Sequence, residues 1–132
     1  HRLLKFSKDT KCRVTIVSGD VHVAALGYIE SKRDGSAGGA ANVINQLISS
    51  GMVHTPPPGI IVYMMEKVLG DNVEEVDRGI TAQMLKFPGT AKRFISARNF
   101  LSLTIDDRYR IWAEWFAEGE QAPYTKVIHP VE

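Results

Sequence analysis

Between Arg13 and Ser18 the chain runs Val-Thr-Ile-Val with almost no charge. An uninterrupted β-branched run of this kind predicts a strand covered on both faces, in the centre of a parallel or mixed sheet. Further on, Leu101, Leu103 and Ile105 alternate with Ser102 and Thr104. An Asp-Asp turn follows, and then Tyr109, Ile111, Ala113 and Trp115 alternate with Arg110, Trp112, Glu114 and Phe116. Two period-two runs joined by a turn predict a β-hairpin. Trp112 and Trp115 are an odd number of residues apart, so they fall on opposite faces of the second strand, which predicts cover on both sides.

A second periodicity marks "HTPPPGIIVYMMEKVLG", residues 54–70. Thr55 is a candidate cap, and the prolines fix φ at a helix entry. Ile60, Ile61, Met64, Met65 and Val68 recur at helical spacing before Gly70. The expectation is an amphipathic helix of about three turns whose methionines fill core space. "VINQLISSGMVH", residues 43–54, fits a helix by its apolar pairs and a strand by its β-branched content, and periodicity leaves both open. "DNVEEVDRG", residues 71–79, reads as a solvated acidic loop, since it lacks the ligand spacing and central glycine of a calcium loop. The Gly/Ala/Ser-rich segment 31–42 has no periodicity and reads as a flexible surface loop. It lacks the lysine that a phosphate-cradling loop needs after its last glycine. At the N-terminus "RLLKFSKDTK" reads as the last turns of a helix, and a helix at a chain end without a cap points to a segment of something longer.

Composition narrows the classes. A chain of 132 residues with 44% hydrophobic content buries roughly two-thirds of its unfolded surface, enough for one domain. A net charge of +1 supplies no field for nucleic acid, so no nucleic-acid partner is expected. No run reaches the ~18 apolar residues of a membrane span, and no signal peptide is visible. Cys12 is the lone cysteine. It forms no disulfide framework or metal pair, suits a reducing, intracellular compartment, and is expected to be a small buried hydrophobe beside a strand.

The chemistry concentrates at "SGDVH", residues 18–22, immediately after the first predicted strand. Asp20 and His22 are two residues apart and share a face in an extended segment. They are good ligands for a hard or borderline divalent metal at the carboxyl end of a strand, where α/β sheets keep their sites. A capping Asp beside a satisfied His explains the tripeptide equally well. His54, between a predicted strand and the prolines, is a candidate to point toward the same place or to bond backbone in a turn. Lys92 and Arg93 are candidates to steer a phosphate. Ser49 and Ser50 have no neighbouring base for nucleophilic work. Arg98 and Asn99 read as a turn carrying a surface charge, and His129 reads as solvated.

Taken together, "RVTIVSGDVHVAALG", "QLISSGMVHTPPPG" and "ARNFLSLTIDDRYRIWAEWF" resemble, in order, the last metal-binding block and following segments of PhoD-like phosphatases, in the group common in fungi. These belong to the calcineurin-like metallophosphoesterase superfamily, and the resemblance spans about Arg13 to Glu118. It implies an α/β fold, a partial metallophosphoesterase β-sandwich with a mixed sheet flanked by helices, of which residues 1–132 form the C-terminal part of a single domain. It implies His22 as a metal ligand and Asp20 as a ligand or the anchor of one; His54, by its place before the prolines, is the further candidate for a substrate or outer-sphere residue. The cofactor implied is a dinuclear centre in the parent, with Fe, Zn, Mn and Ca not distinguished. The chemistry implied is attack of a metal-bound hydroxide on a phosphate-ester substrate.

The family's earlier blocks, Asp-x-His, Gly-Asp-x-x-Asp and Gly-Asn-His-Asp/Glu, do not precede Gly19, which has 18 residues before it. Taking Asp20-Val21-His22 as the first block instead fails, because "GDNVE" ends in Glu and no Gly-Asn-His follows. The expectation is a hydrolase fragment inactive alone; the alternative is a non-catalytic interaction module that retains the fold. As part of a larger sandwich, the chain is expected to leave Val14, Ile16, Leu101, Leu103 and Trp112 less buried than their pattern asks.

Overall fold

The computed structural model describes residues 2–19, 22–33, 39 and 42–132. Among these residues two helices and nine strands follow in the order α1 (Arg2–Thr10), β1 (Thr15–Gly19), β2 (Ala24–Ser31), β3 (Val43–Ser49), α2 (Gly59–Val68), β4 (Val73–Asp77), β5 (Ile80–Leu85), β6 (Phe94–Ile95), β7 (Asn99–Ile105), β8 (Ile111–Ala117) and β9 (Tyr124–Ile128). The fold is a mixed α/β arrangement with two sheets, mostly strand.

The larger sheet has the order β1-β3-β2-β5-β4, with β6 also pairing β2. β1 and β3 are parallel and end level, Gly19 opposite Ser49; the other pairs of this sheet are antiparallel. The open alternatives at residues 43–49 resolve to strand, because Val43, Ile44 and Leu47 are buried between β1 and β2. The smaller sheet is β7-β8-β9. Its β7/β8 hairpin pairs Leu101 with Trp115, Leu103 with Ala113 and Ile105 with Ile111, the predicted alternation.

One face of the larger sheet carries Ala24, Leu26 and Leu47 against Ala113, Trp115 and Ala117 of β8 and Ile128 of β9. Phe87 seals this core edge-to-face on Trp115, ring centroids 5.0 Å apart. The other face is covered by helices. Leu4 of α1 packs on Ile44 and Ile80, and Val62 and Met65 of α2 pack on Val23, Ala25 and Phe94. The result is a helix layer, a central sheet and a second sheet.

Several expectations need correction. Among the described residues β1 lies at the edge of its sheet, not at its centre; Val14 and Ile16 pack with the Leu4 cluster on the helix face, while Val17, on the other face, is 56% exposed. Residues 73–77 form strand β4, not a loop, because Val73, Glu74, Glu75 and Asp77 find ladder partners on β5. All of β4 is exposed, and its charges guard a sheet edge. Helix α2 exists as predicted but starts from Pro58 without a side-chain cap, so Thr55 does not cap it. Its Ile60, Ile61, Met64 and Val68 are exposed, and only its Val62 and Met65 reach the core. Met64 therefore fills no core space. Cys12 is exposed, since it follows the end of α1 before β1 begins. Trp115 is fully buried, whereas Trp112 lies half-buried against the Arg110 guanidinium, so the second face of β8 is not closed. None of Val14, Ile16, Leu101, Leu103 and Trp112 is buried, as expected. Of the proposed 31–42 loop, Ser31 closes β2, and positions 34–38, 40 and 41 lie outside the described residues.

Candidate functional site

The strand order places the candidate histidines together. β3 lies between β1 and β2, so the end of β1 and the start of β2, which the link through His22 joins, flank the carboxyl end of β3. His22 is on that link. The segment that leaves the same end of β3 after Ser49 carries His54. Although 32 positions separate them in sequence, their rings meet edge-to-face, with centroids 4.2 Å apart. Both residues are exposed. The candidate Asp20, on the same link, lies outside the described residues.

His54 Nδ1 stands 3.0 Å from the Thr55 carbonyl oxygen. A carbonyl only accepts, so Nδ1 carries the proton of the neutral ring, and Nε2 keeps its lone pair for a cation or an incoming donor. An imidazole held through one nitrogen by a carbonyl is the usual setting of a metal-binding His.

Residues that sequence reading placed on a surface turn hold this segment. Asn99 is 2% exposed. Its Oδ1 accepts from Ser49 Oγ at 3.2 Å and from the Ser50 N–H at 3.1 Å, and its Nδ2 donates to Ser50 Oγ at 2.7 Å and to the Ala97 carbonyl at 2.8 Å. Arg98 Nε donates to the His54 carbonyl at 3.3 Å, and its guanidinium pairs with Glu118. Arg98 and Asn99 thus bind the smaller sheet to the exit from β3, and Trp115 Nε1 adds a bond to the Ile48 carbonyl at 2.9 Å. One signal for Asn99 was present. Extending the inward set Leu101, Leu103, Ile105 back by two positions lands on it, which marks an amide at a buried position that must find partners.

The phosphate-steering candidates are occupied elsewhere. Arg93 pairs with Asp71 at 2.7 Å and Glu66 at 3.9 Å, and its side chain is largely buried. Lys92 Nζ lies 3.7 Å from Glu120. Both act as ties between α2, the β5–β6 connection and the smaller sheet. Ser49 and Ser50 are committed to Asn99, and His129 is exposed.

Next to His22 a cavity of about 460 Å³ opens against Pro56, Pro57, Pro58, Ile61 and Met65. The site thus has two imidazoles at one end and an apolar wall at the other. The imidazoles furnish nitrogen donors suited to a borderline divalent cation. Among the described residues no group of three or more His, Cys, Asp or Glu gathers as a metal centre requires. The pair offers two ligands and does not by itself make a dinuclear cage. Among the described residues no helix is long and apolar enough to cross a membrane. Comparison with protein-family models, with curated proteins and with solved structures finds no match to this chain.

Proposed function

We propose that this chain is the C-terminal part of a PhoD-like metallophosphoesterase, a hydrolase of phosphate esters, and that it brings His22, with Asp20 and His54, to a metal centre completed by ligands outside these residues. The observation that carries the reading is the meeting of His22 and His54 at the level ends of the parallel strands β1 and β3, the place where open α/β sheets bind ligands. The two packed sheets with helices on the outer face agree with a sandwich of that class.

The test is a titration with Mn²⁺ followed by proton NMR. Selective broadening of the His22 and His54 ring signals, lost in His22→Ala, is the expected outcome; uniform broadening or none rejects the site. The chain alone is expected to show no metal-dependent turnover of a chromogenic phosphate ester, because two imidazoles cannot fix a dinuclear geometry. A second reading, a non-catalytic interaction module, draws on the exposed apolar side of α2 formed by Ile60, Met64 and Val68. It gains if the titration fails while the chain remains cooperatively folded.

A further inference from the structure

We propose that the cavity beside the histidine pair receives the apolar, flat organic group of a phosphate ester, so that the site favours aryl esters over small polar ones. This rests on the phosphate-ester reading of the His22–His54 pair and adds the substrate class. At about 460 Å³ the cavity falls within the ~300–1,000 Å³ of small-ligand pockets. Its wall explains the choice. Pro56, Pro57 and Pro58 are consecutive lining residues, and none has an N–H to offer a polar ligand. Ile61, Met65 and Val23 add only apolar surface. Among the described residues, polar side chains line it at His22 and Thr55 alone. A ligand that fits both ends is therefore hydrogen-bonding or anionic at one end and apolar at the other.

The wall is also held in place. Proline φ angles are fixed, so that little ordering accompanies binding. Helix α2, which supplies Ile61 and Met65, is fastened through Glu66 Oε1, which accepts the backbone N–H groups of Arg93 at 2.6 Å and Phe94 at 3.0 Å. Met65 brings a polarizable thioether, which makes favourable contacts with an aromatic ring. A charged or strongly hydrated group placed here would lose water and gain no partner from the prolines.

The experiment follows the ¹³C-labelled methionine methyls and the histidine ring signals of the full chain during titration with 1-naphthyl phosphate, inorganic phosphate and 1-naphthol. The expected result is that 1-naphthyl phosphate shifts the Met65 methyl together with His22 and His54, leaves exposed Met64 unmoved, and binds at least about tenfold tighter than inorganic phosphate, a difference of ~1.4 kcal/mol. Ile61→Asn, which makes the wall polar without adding charge, should remove that advantage. Equal affinity for the two phosphates with Met65 unmoved overturns the proposal while the phosphate-ester reading stands. Movement of Met65 by 1-naphthol, with neither phosphate reaching the histidines, overturns it by removing the ester site itself. Movement of Met65 on simple dilution overturns it in favour of a second copy of the chain on this surface.

Discussion

Replacing Asn99 by Ala removes a side chain that is 2% exposed and makes four hydrogen bonds, three to Ser49 and Ser50 across the two sheets and one to the nearby Ala97 carbonyl. The serine hydroxyls can rotate toward other acceptors, so their two bonds count at the usual net ~0.5–1.5 kcal/mol at most. The Ser50 N–H and the Ala97 carbonyl have no such freedom, and each buried group left unpaired costs ~1–3 kcal/mol. Allowing for water reaching one of the two, the expected loss is about 2–4 kcal/mol, against a total stability on the order of 10 kcal/mol for a chain of this size. At roughly 4 °C per kcal/mol the melting temperature should fall by ~8–16 °C. Urea unfolding followed by Trp115 fluorescence gives the free energy. The ring signals of His54 give the local consequence, since the segment leading to His54 is anchored at Ser50. In a double-mutant cycle with Ser50→Ala the pair should couple by about 1 kcal/mol, because Ser50 Oγ accepts from Asn99 Nδ2. A loss under ~1 kcal/mol with unmoved His54 signals would refute the view that this amide joins the sheets and sets the site.

Two further perturbations test other ties. Gly70→Ala would drive its Cβ into the Glu66 carbonyl oxygen, so the end of α2 must shift, with an expected cost of about 1–3 kcal/mol read by thermal unfolding. Asp106 accepts from Trp112 Nε1, from the Arg110 side chain and from the backbone N–H groups of Arg108 and Arg110. The Trp112 bond and then the Arg110 contacts hold its carboxyl well below the usual carboxylate range. A folded pKa below the unfolded one gives stability that is present above the unfolded value of ~4 and lost as pH falls below it. Asp106→Asn should therefore lower the melting temperature at neutral pH and flatten its decline below pH ~4; a variant with an unchanged acid slope would remove Asp106 as a source of that decline.

What could be read from the sequence follows from which information each pattern holds. The β7/β8 hairpin was legible because its alternation records one buried face and its turn residues record the reversal. Helix α2 was legible as a helix, but its apolar residues surround it almost completely, so periodicity could not tell Val62 and Met65, which meet the sheet, from Ile60 and Met64, which do not. β4 was hidden because its acidic residues face water on an edge and its strand form comes from the β5 ladder, a non-local partner. The place of β1 was hidden for the same reason: hydrophobicity reports cover and says nothing of which strand provides it. At the site, His22 and His54 were visible as separate candidates. Their contact depends on β3 lying between β1 and β2, a matter of topology, and Asn99 was missed because its partners are far away in the chain.

That insertion also sets an order of events in folding. Among the described residues β1 has β3 as its only ladder partner, and more than twenty residues, including the whole of β2, come between them in the chain. β1 leaves the synthesis machinery before β2 and β3, and its pairing with β3 must wait until β3 has been made and is free on that side. The loop-closure entropy of that late parallel contact must be met before the contact gives any return, which makes it a slow step. Until then the apolar strand Thr15–Gly19 stays open to a wrong neighbour, an interval in which a chaperone or an adjoining stretch of the same polypeptide would have most effect on yield.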